Sequence, residues 1–266
     1  MKTPLAWRGW ALLTVLAPAL ATAQSSTPKP TATSSAGAPA VRPLWIGVER
    51  VNGRPSPLRV VPQPGKDTVQ FAFGPPRPCR LTARPITGTG AEQRYDLTDT
   101  SGGRCDSWYP GRAVLRADGD TAQLDLSAGR QQMALPLWAA GKVPDDVAME
   151  ATLGGRWTSV VHTANGLDLD LTLRVQGREP GDEGSELVYG SPRNCRVPLR
   201  YEGRTDAGAW FAVLAGNGGT FCDALVDRWL VISLRAEAAS LRIDSAPGMK
   251  AINECVPNCS LGRSQP

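Results

Sequence analysis

Apolar and polar residues alternate with a period of two along much of this chain. The clearest run is Leu167, Leu169, Leu171, Leu173 and Val175, separated by Asp168, Asp170, Thr172 and Arg174. Successive side chains of a strand point to opposite faces, so this pattern predicts a strand with one buried face. Shorter alternating pieces lie at 68–73, 79–83, 113–117 and 230–234, with turns rich in Gly, Pro and Asp between them. Asn52-Gly53 and Asn165-Gly166 each stand between apolar runs. Both residue types accept the positive φ of a tight hairpin turn. Helical periodicity is scarce, and the best helix candidate is 145–153. The prediction is an all-β fold built from short strands.

The strand pattern is repeated. Phe73-Gly74-Pro75-Pro76-Arg77-Pro78-Cys79-Arg80 matches Tyr189-Gly190-Ser191-Pro192-Arg193-Asn194-Cys195-Arg196. Upstream, Trp45 answers to Trp157 and Asn52-Gly53 to Asn165-Gly166. Downstream, Cys105-Asp106 answers to Cys222-Asp223, each following a Gly-Gly pair, and 122–126 answers to 239–243. Landmarks recurring in one order predict two tandem homologous units. Each holds roughly seven strands, which suits a small sandwich or barrel. The expected organisation is a first unit at 44–128, a connector at 129–152, a second unit at 153–246 and a tail at 247–266.

The six cysteines fall into this scheme. Duplication pairs Cys79 with Cys105 and Cys195 with Cys222, one disulfide inside each unit. Cys255 and Cys259 lack counterparts in the first unit and are expected to pair locally in the tail. An even cysteine count fits an oxidising compartment. The N-terminus agrees with that. Lys2 and Arg8 precede an apolar stretch from Trp10 to Ala21, and Ala21-Thr22-Ala23 has the small-x-small form of a signal-peptide cleavage site. The apolar stretch is shorter than the roughly 20 residues a bilayer span needs. Residues 1–23 are therefore expected to be a signal peptide, with no transmembrane segment after its cleavage. Residues 24–43 are Ser-, Thr-, Pro- and Ala-rich and are expected to be a disordered linker. The expected location is the periplasm or the exterior, in a bacterial envelope setting.

Charge narrows the partners. The chain carries 29 Lys and Arg against 25 Asp and Glu. Removal of Lys2 and Arg8 leaves 27 against 25, a net +2 with no clustered basic stripe in the sequence, which argues against nucleic acid. Candidate chemistry is thin. The single His162 has no histidine at the matching position of the first unit, and a multi-histidine metal site is excluded by count. No Gly-rich phosphate loop is present, and cysteines engaged in disulfides are not nucleophiles. No catalytic residue, cofactor or metal ligand is expected. Asp106 and Asp223 recur, and a turn-capping role is the simpler reading of them. The acid-rich segment 179–186 lacks EF-hand spacing and reads as a solvated loop.

Binding residues are better represented. Arg77 and Arg80 match Arg193 and Arg196, and Arg suits bidentate recognition of carboxylate or phosphate. If they are not exposed, they bond carbonyls or pair with the repeated Asp. Trp108-Tyr109, in a Pro-Gly turn, has no counterpart in the second unit and reads either as an exposed aromatic pair suited to a binding hot spot or as core filling. The expected function is an exported, non-catalytic interaction protein of inhibitor or immunity type, with a protein or glycan partner in the envelope. The alternatives are a glycan-active hydrolase using paired carboxylates and a purely structural envelope component.

Overall fold

A computed structural model describes residues 44–162, 166–234, 240–245 and 259–263. The expected signal peptide and linker, Asn165 and Cys255 lie outside the described residues.

The strand reading holds, with more strands and a definite closure. The first sheet contains β1 (Trp45–Val51), β2 (Arg54–Pro62), β3 (Val69–Phe73), β4 (Cys79–Thr89), β5 (Glu92–Thr100), β6 (Arg112–Asp118), β7 (Thr121–Ala128) and β8 (Gln131–Ala139). Each pairs antiparallel with the next, and β1 returns to β8 through Trp45↔Ala139 and Ile46↔Trp138. This is a closed up-and-down barrel. The Asn52-Gly53 turn has the expected positive φ at both residues, 52° and 77°.

The second sheet contains β9 (Gly155–His162), β10 (Asp168–Val175), β11 (Ser185–Tyr189), β12 (Cys195–Thr205), β13 (Gly208–Val213), β14 (Trp229–Leu234), β15 (Ser240–Ser245) and β16 (Cys259–Arg263). Its ladder runs in chain order and returns to β9 through Gly262↔Thr158 and Arg263↔Trp157.

Three expectations change. The first barrel does not end at 128, because β8 supplies its closing strand, so the connector begins after Ala139. The C-terminal segment is not only a tail, since Cys259–Arg263 forms β16. The helix expected at 145–153 shrinks to one 3-10 turn, Ala151–Leu153. Among the described residues no helix is long and apolar enough to cross a membrane.

An eight-stranded barrel has an interior about wide enough for side chains to fill. In the first barrel Leu58, Phe71, Leu81, Tyr95, Leu124, Leu126 and Leu137 point inward and are almost fully buried. In the second, Leu171, Leu173, Val197, Leu199, Phe211 and Ile232 do the same. Disulfides join Cys79 to Cys105 and Cys195 to Cys222. Each ties the start of its barrel's fourth strand to a short helical turn, Gly103–Trp108 in the first barrel and Thr220–Asp223 in the second.

The two barrels form one compact unit. β2 of the first packs on β12 of the second. Arg59 Nη2 donates to Asp182 Oδ1 at 3.0 Å, and Arg50 Nη2 donates to the Arg204 carbonyl at 2.7 Å. Glu202, on the outer face of β12, is nonetheless 0% exposed, because the first barrel covers it.

Candidate functional site

In an up-and-down barrel, every second turn lies at the same end. At one end of the first barrel the β1–β2, β3–β4 and β7–β8 turns and the helical turn after β5 meet. Arginines stand at or beside all four: Arg50, Arg77, Arg130 and Arg104 respectively. Together with Glu49, Asn52, Ser107, Trp108, Gln131 and Gln132 they line an open groove of about 760 Å³. One carboxylate, Glu49, thus stands among four arginines in the lining of this groove.

These arginines are not equally engaged. Arg104 pairs with Glu49 and lies over the Phe73 ring, its guanidinium carbon 4.9 Å from the centroid. Arg50 is held by the Arg204 carbonyl of the second barrel. Arg77 and Arg130 are exposed, and neither has a side-chain partner among the described residues. Arg104 is thus anchored in the groove, Arg50 turns its guanidinium toward the second barrel, and Arg77 and Arg130 are uncommitted. A planar guanidinium offers parallel N–H donors that match a carboxylate or phosphate edge.

The six expected site residues separate. Arg77 and Trp108 meet in this groove. Trp108 is 8% exposed and belongs to the first core, so the exposed aromatic pair is corrected: Trp108 is a buried wall, and only Tyr109, at 44%, faces solvent. The cause is local. The Gly103–Trp108 turn carries Cys105 inward to Cys79 and takes the indole with it. Arg80 lies elsewhere, in a cleft of about 370 Å³ between the barrels, lined also by Arg59, Ser101, Glu183 and Arg200.

Arg193 and Arg196 are both exposed but locally tied. Arg193 sits 5.0 Å over the Phe221 ring, and Arg196 shares Glu186 with Arg174. The two units therefore do not present equivalent anion sites. Asp106 accepts from the Thr100 hydroxyl at 3.3 Å and pairs with no arginine among the described residues. His162 contacts Asp168 at 2.5 Å on an exposed hairpin.

Arg50, Arg104 and Arg130 were not singled out from the sequence. Their signal is positional: 50, 77, 104 and 130 fall nearly one strand pair apart, a spacing that has meaning only once the strands are known to be even in number and closed.

Carboxylates gather elsewhere. Asp146, Glu150 and Asp206 line a mouth of the second barrel with Arg50 and Arg204, and Glu150 is paired with Arg204. Glu202 carries the strongest perturbation of a carboxyl. Burial raises it from its ordinary range to about 7, against the lowering effect of Arg200, whose Nε donates to Oε1 at 2.8 Å. It lies beneath Gly74 and Pro57, out of reach of a substrate. Among the described residues no group of three or more His, Cys, Asp or Glu could hold a metal ion. No family model, curated protein or solved structure matches the chain.

Proposed function

We propose that this is an exported, non-catalytic interaction protein whose first barrel receives a carboxylate-bearing segment of a partner chain. One observation carries the reading: four arginines from alternate turns converge on a single groove that holds one carboxylate, and two of them are uncommitted. Charge complementarity of this kind steers association and selects partners. We further infer that the barrels arose by duplication and then diverged. The matched disulfides and strand order support that reading, and the second barrel spends its matching arginines on local contacts.

The hydrolase alternative has less support. A glycosidase needs an accessible acid of raised pKa opposite a second carboxylate. The raised carboxyl here, Glu202, is sealed between the barrels.

The test is calorimetric titration with poly-L-glutamate, the acidic polysaccharide alginate and neutral dextran. Poly-glutamate is expected to bind, more weakly as salt rises, because exposed charges are screened. The Arg77→Ala/Arg130→Ala variant is expected to bind roughly tenfold more weakly or worse. Binding of alginate but not poly-glutamate would assign the carboxylates to a glycan. Binding of neither, or of dextran equally well, would overturn the proposal.

A further inference from the structure

The end of the first barrel opposite the arginine groove holds a different kind of surface. Trp45, Val60, Val69, Gln93, Tyr95 and Leu115 surround a cavity of about 260 Å³, and Ala117 stands at its rim. Apart from Gln93, these six wall residues are between 1% and 5% exposed, so the space is recessed and apolar. The Tyr95 hydroxyl donates to Gln93 Oε1 at 2.5 Å. That bond orients the Gln93 amide and leaves its NH₂ as a donor beside an otherwise hydrocarbon wall.

The second barrel treats the same end differently. There the preceding connector folds in. Met149 and Leu153 join the core at 2% and 3% exposure, and the Trp157 indole N–H donates to the Leu153 carbonyl at 2.9 Å. Strand register makes the comparison residue by residue. Gln93 pairs with Leu115 as Ala209 pairs with Ile232, and Ala117, two residues beyond Leu115, stands where Leu234 stands beyond Ile232. The second mouth still opens on a space of about 600 Å³, but Asp146, Glu150, Arg204 and Asp206 line it beside Leu153 and Leu234, so it is charged where the first is apolar. The first has a smaller rim residue, a polar group, and no plug among the described residues.

We propose that this mouth of the first barrel binds one small, largely apolar molecule that carries a hydrogen-bond acceptor, such as a carbonyl, for Gln93. The volume suits that class. It exceeds the roughly 150 Å³ of an apolar cavity that takes benzene, and lies just under the range of about 300–1,000 Å³ for drug-sized ligands. Eight-stranded barrels are of the size that closes around a single small ligand. Water gains little in a space with so few polar partners, so a ligand displaces it at low cost. The site is independent of the arginine groove.

The probe is 2-acetylnaphthalene, an apolar bicycle with one carbonyl, titrated into the oxidised protein by calorimetry and by NMR of the Trp45 indole N–H. Saturable one-to-one binding with a negative heat-capacity change is expected, since apolar surface is buried. Ala117→Leu places in the first barrel the residue the second has, and is expected to weaken binding roughly tenfold or more. Val60→Phe fills the cavity from the opposite wall and is expected to act alike. Each variant is compared at equal folded fraction by thermal melting. Arg77→Ala/Arg130→Ala is expected to bind the probe as the parent does. Absence of saturable binding, or parent-like binding by both folded cavity variants, would overturn the proposal.

Discussion

Arg200 Nε donates to one oxygen of Glu202 at 2.8 Å, while the other oxygen, Oε2, has no partner in the seam between the barrels. Gly74 of the first barrel closes over it, and a Cβ at that position would stand 3.0 Å from Oε2. Arg200 and Glu183 are the charged groups that act on this carboxyl. Desolvation outweighs the arginine, so the carboxyl is held at about 7 in the folded protein, against 4.5 for the unperturbed group.

The sign of the pH dependence follows. With a folded value above the unfolded one, the native state binds the extra proton. This contribution to stability is complete below about pH 4.5 and is lost as pH rises toward 7. The total is on the order of 3 kcal/mol at most. Chemical unfolding from pH 5 to 8 is expected to show a falling component that Glu202→Gln removes. Equal slopes in parent and variant would contradict it.

Gly203 lies beside Glu202 at a register shift in β12, with φ of +134°. An added Cβ would meet Pro55 Cβ at 3.0 Å and Val48 at 3.3 Å. Both the backbone and the seam resist a side chain there. Gly203→Ala is expected to cost about 1–3 kcal/mol in denaturant unfolding. A cost indistinguishable from zero would show that the barrels are not docked along this line.

Each disulfide closes a loop, with partners 26 and 27 residues apart. Loop-closure entropy assigns roughly 3 kcal/mol to each. The Cys79→Ser/Cys105→Ser variant is expected to lose that stability and also to release the Gly103–Trp108 turn. Red-shifted emission from Trp108 should therefore accompany the loss. A destabilised variant with unchanged emission would separate the staple from the groove wall.

Leu153 packs into the second core beneath the charged mouth of that barrel, and its carbonyl accepts from the Trp157 indole. Leu153→Ala is expected to cost about 2–5 kcal/mol by opening a cavity beside Trp157. A cost under about 1 kcal/mol in denaturant unfolding would show that Leu153 is not part of that core.

Alternation marked β10 closely, because it buries one face, whereas in β14 Val231 is buried as well as Leu230 and Ile232. It missed β8, where Pro136 interrupts a stretch that otherwise alternates through Met133, Leu135 and Leu137. Proline is tolerated there because it need not supply a ladder donor. It also missed β16, five residues set within a segment rich in Asn, Pro and Gly. Those two strands close the barrels, and closure rests on two-residue seams between chain positions almost a barrel apart. Without closure, the arginines at 50, 77, 104 and 130 have no reason to converge. The sequence left Trp108 open between an exposed aromatic and core filling, because a Pro-Gly sequence suggests a surface turn; the Cys79–Cys105 bond draws that turn inward.

The central claim is that the first barrel's arginine groove, and not its counterpart in the second, takes an acidic segment. The direct measurement is NMR of arginine side-chain Nε–H groups during titration with poly-L-glutamate. The account predicts that Arg77, Arg104 and Arg130 shift together and saturably, while Arg193 and Arg196 stay in place. Uniform weak shifts over all exposed arginines, or a saturable response centred on Arg193 and Arg196, would contradict it.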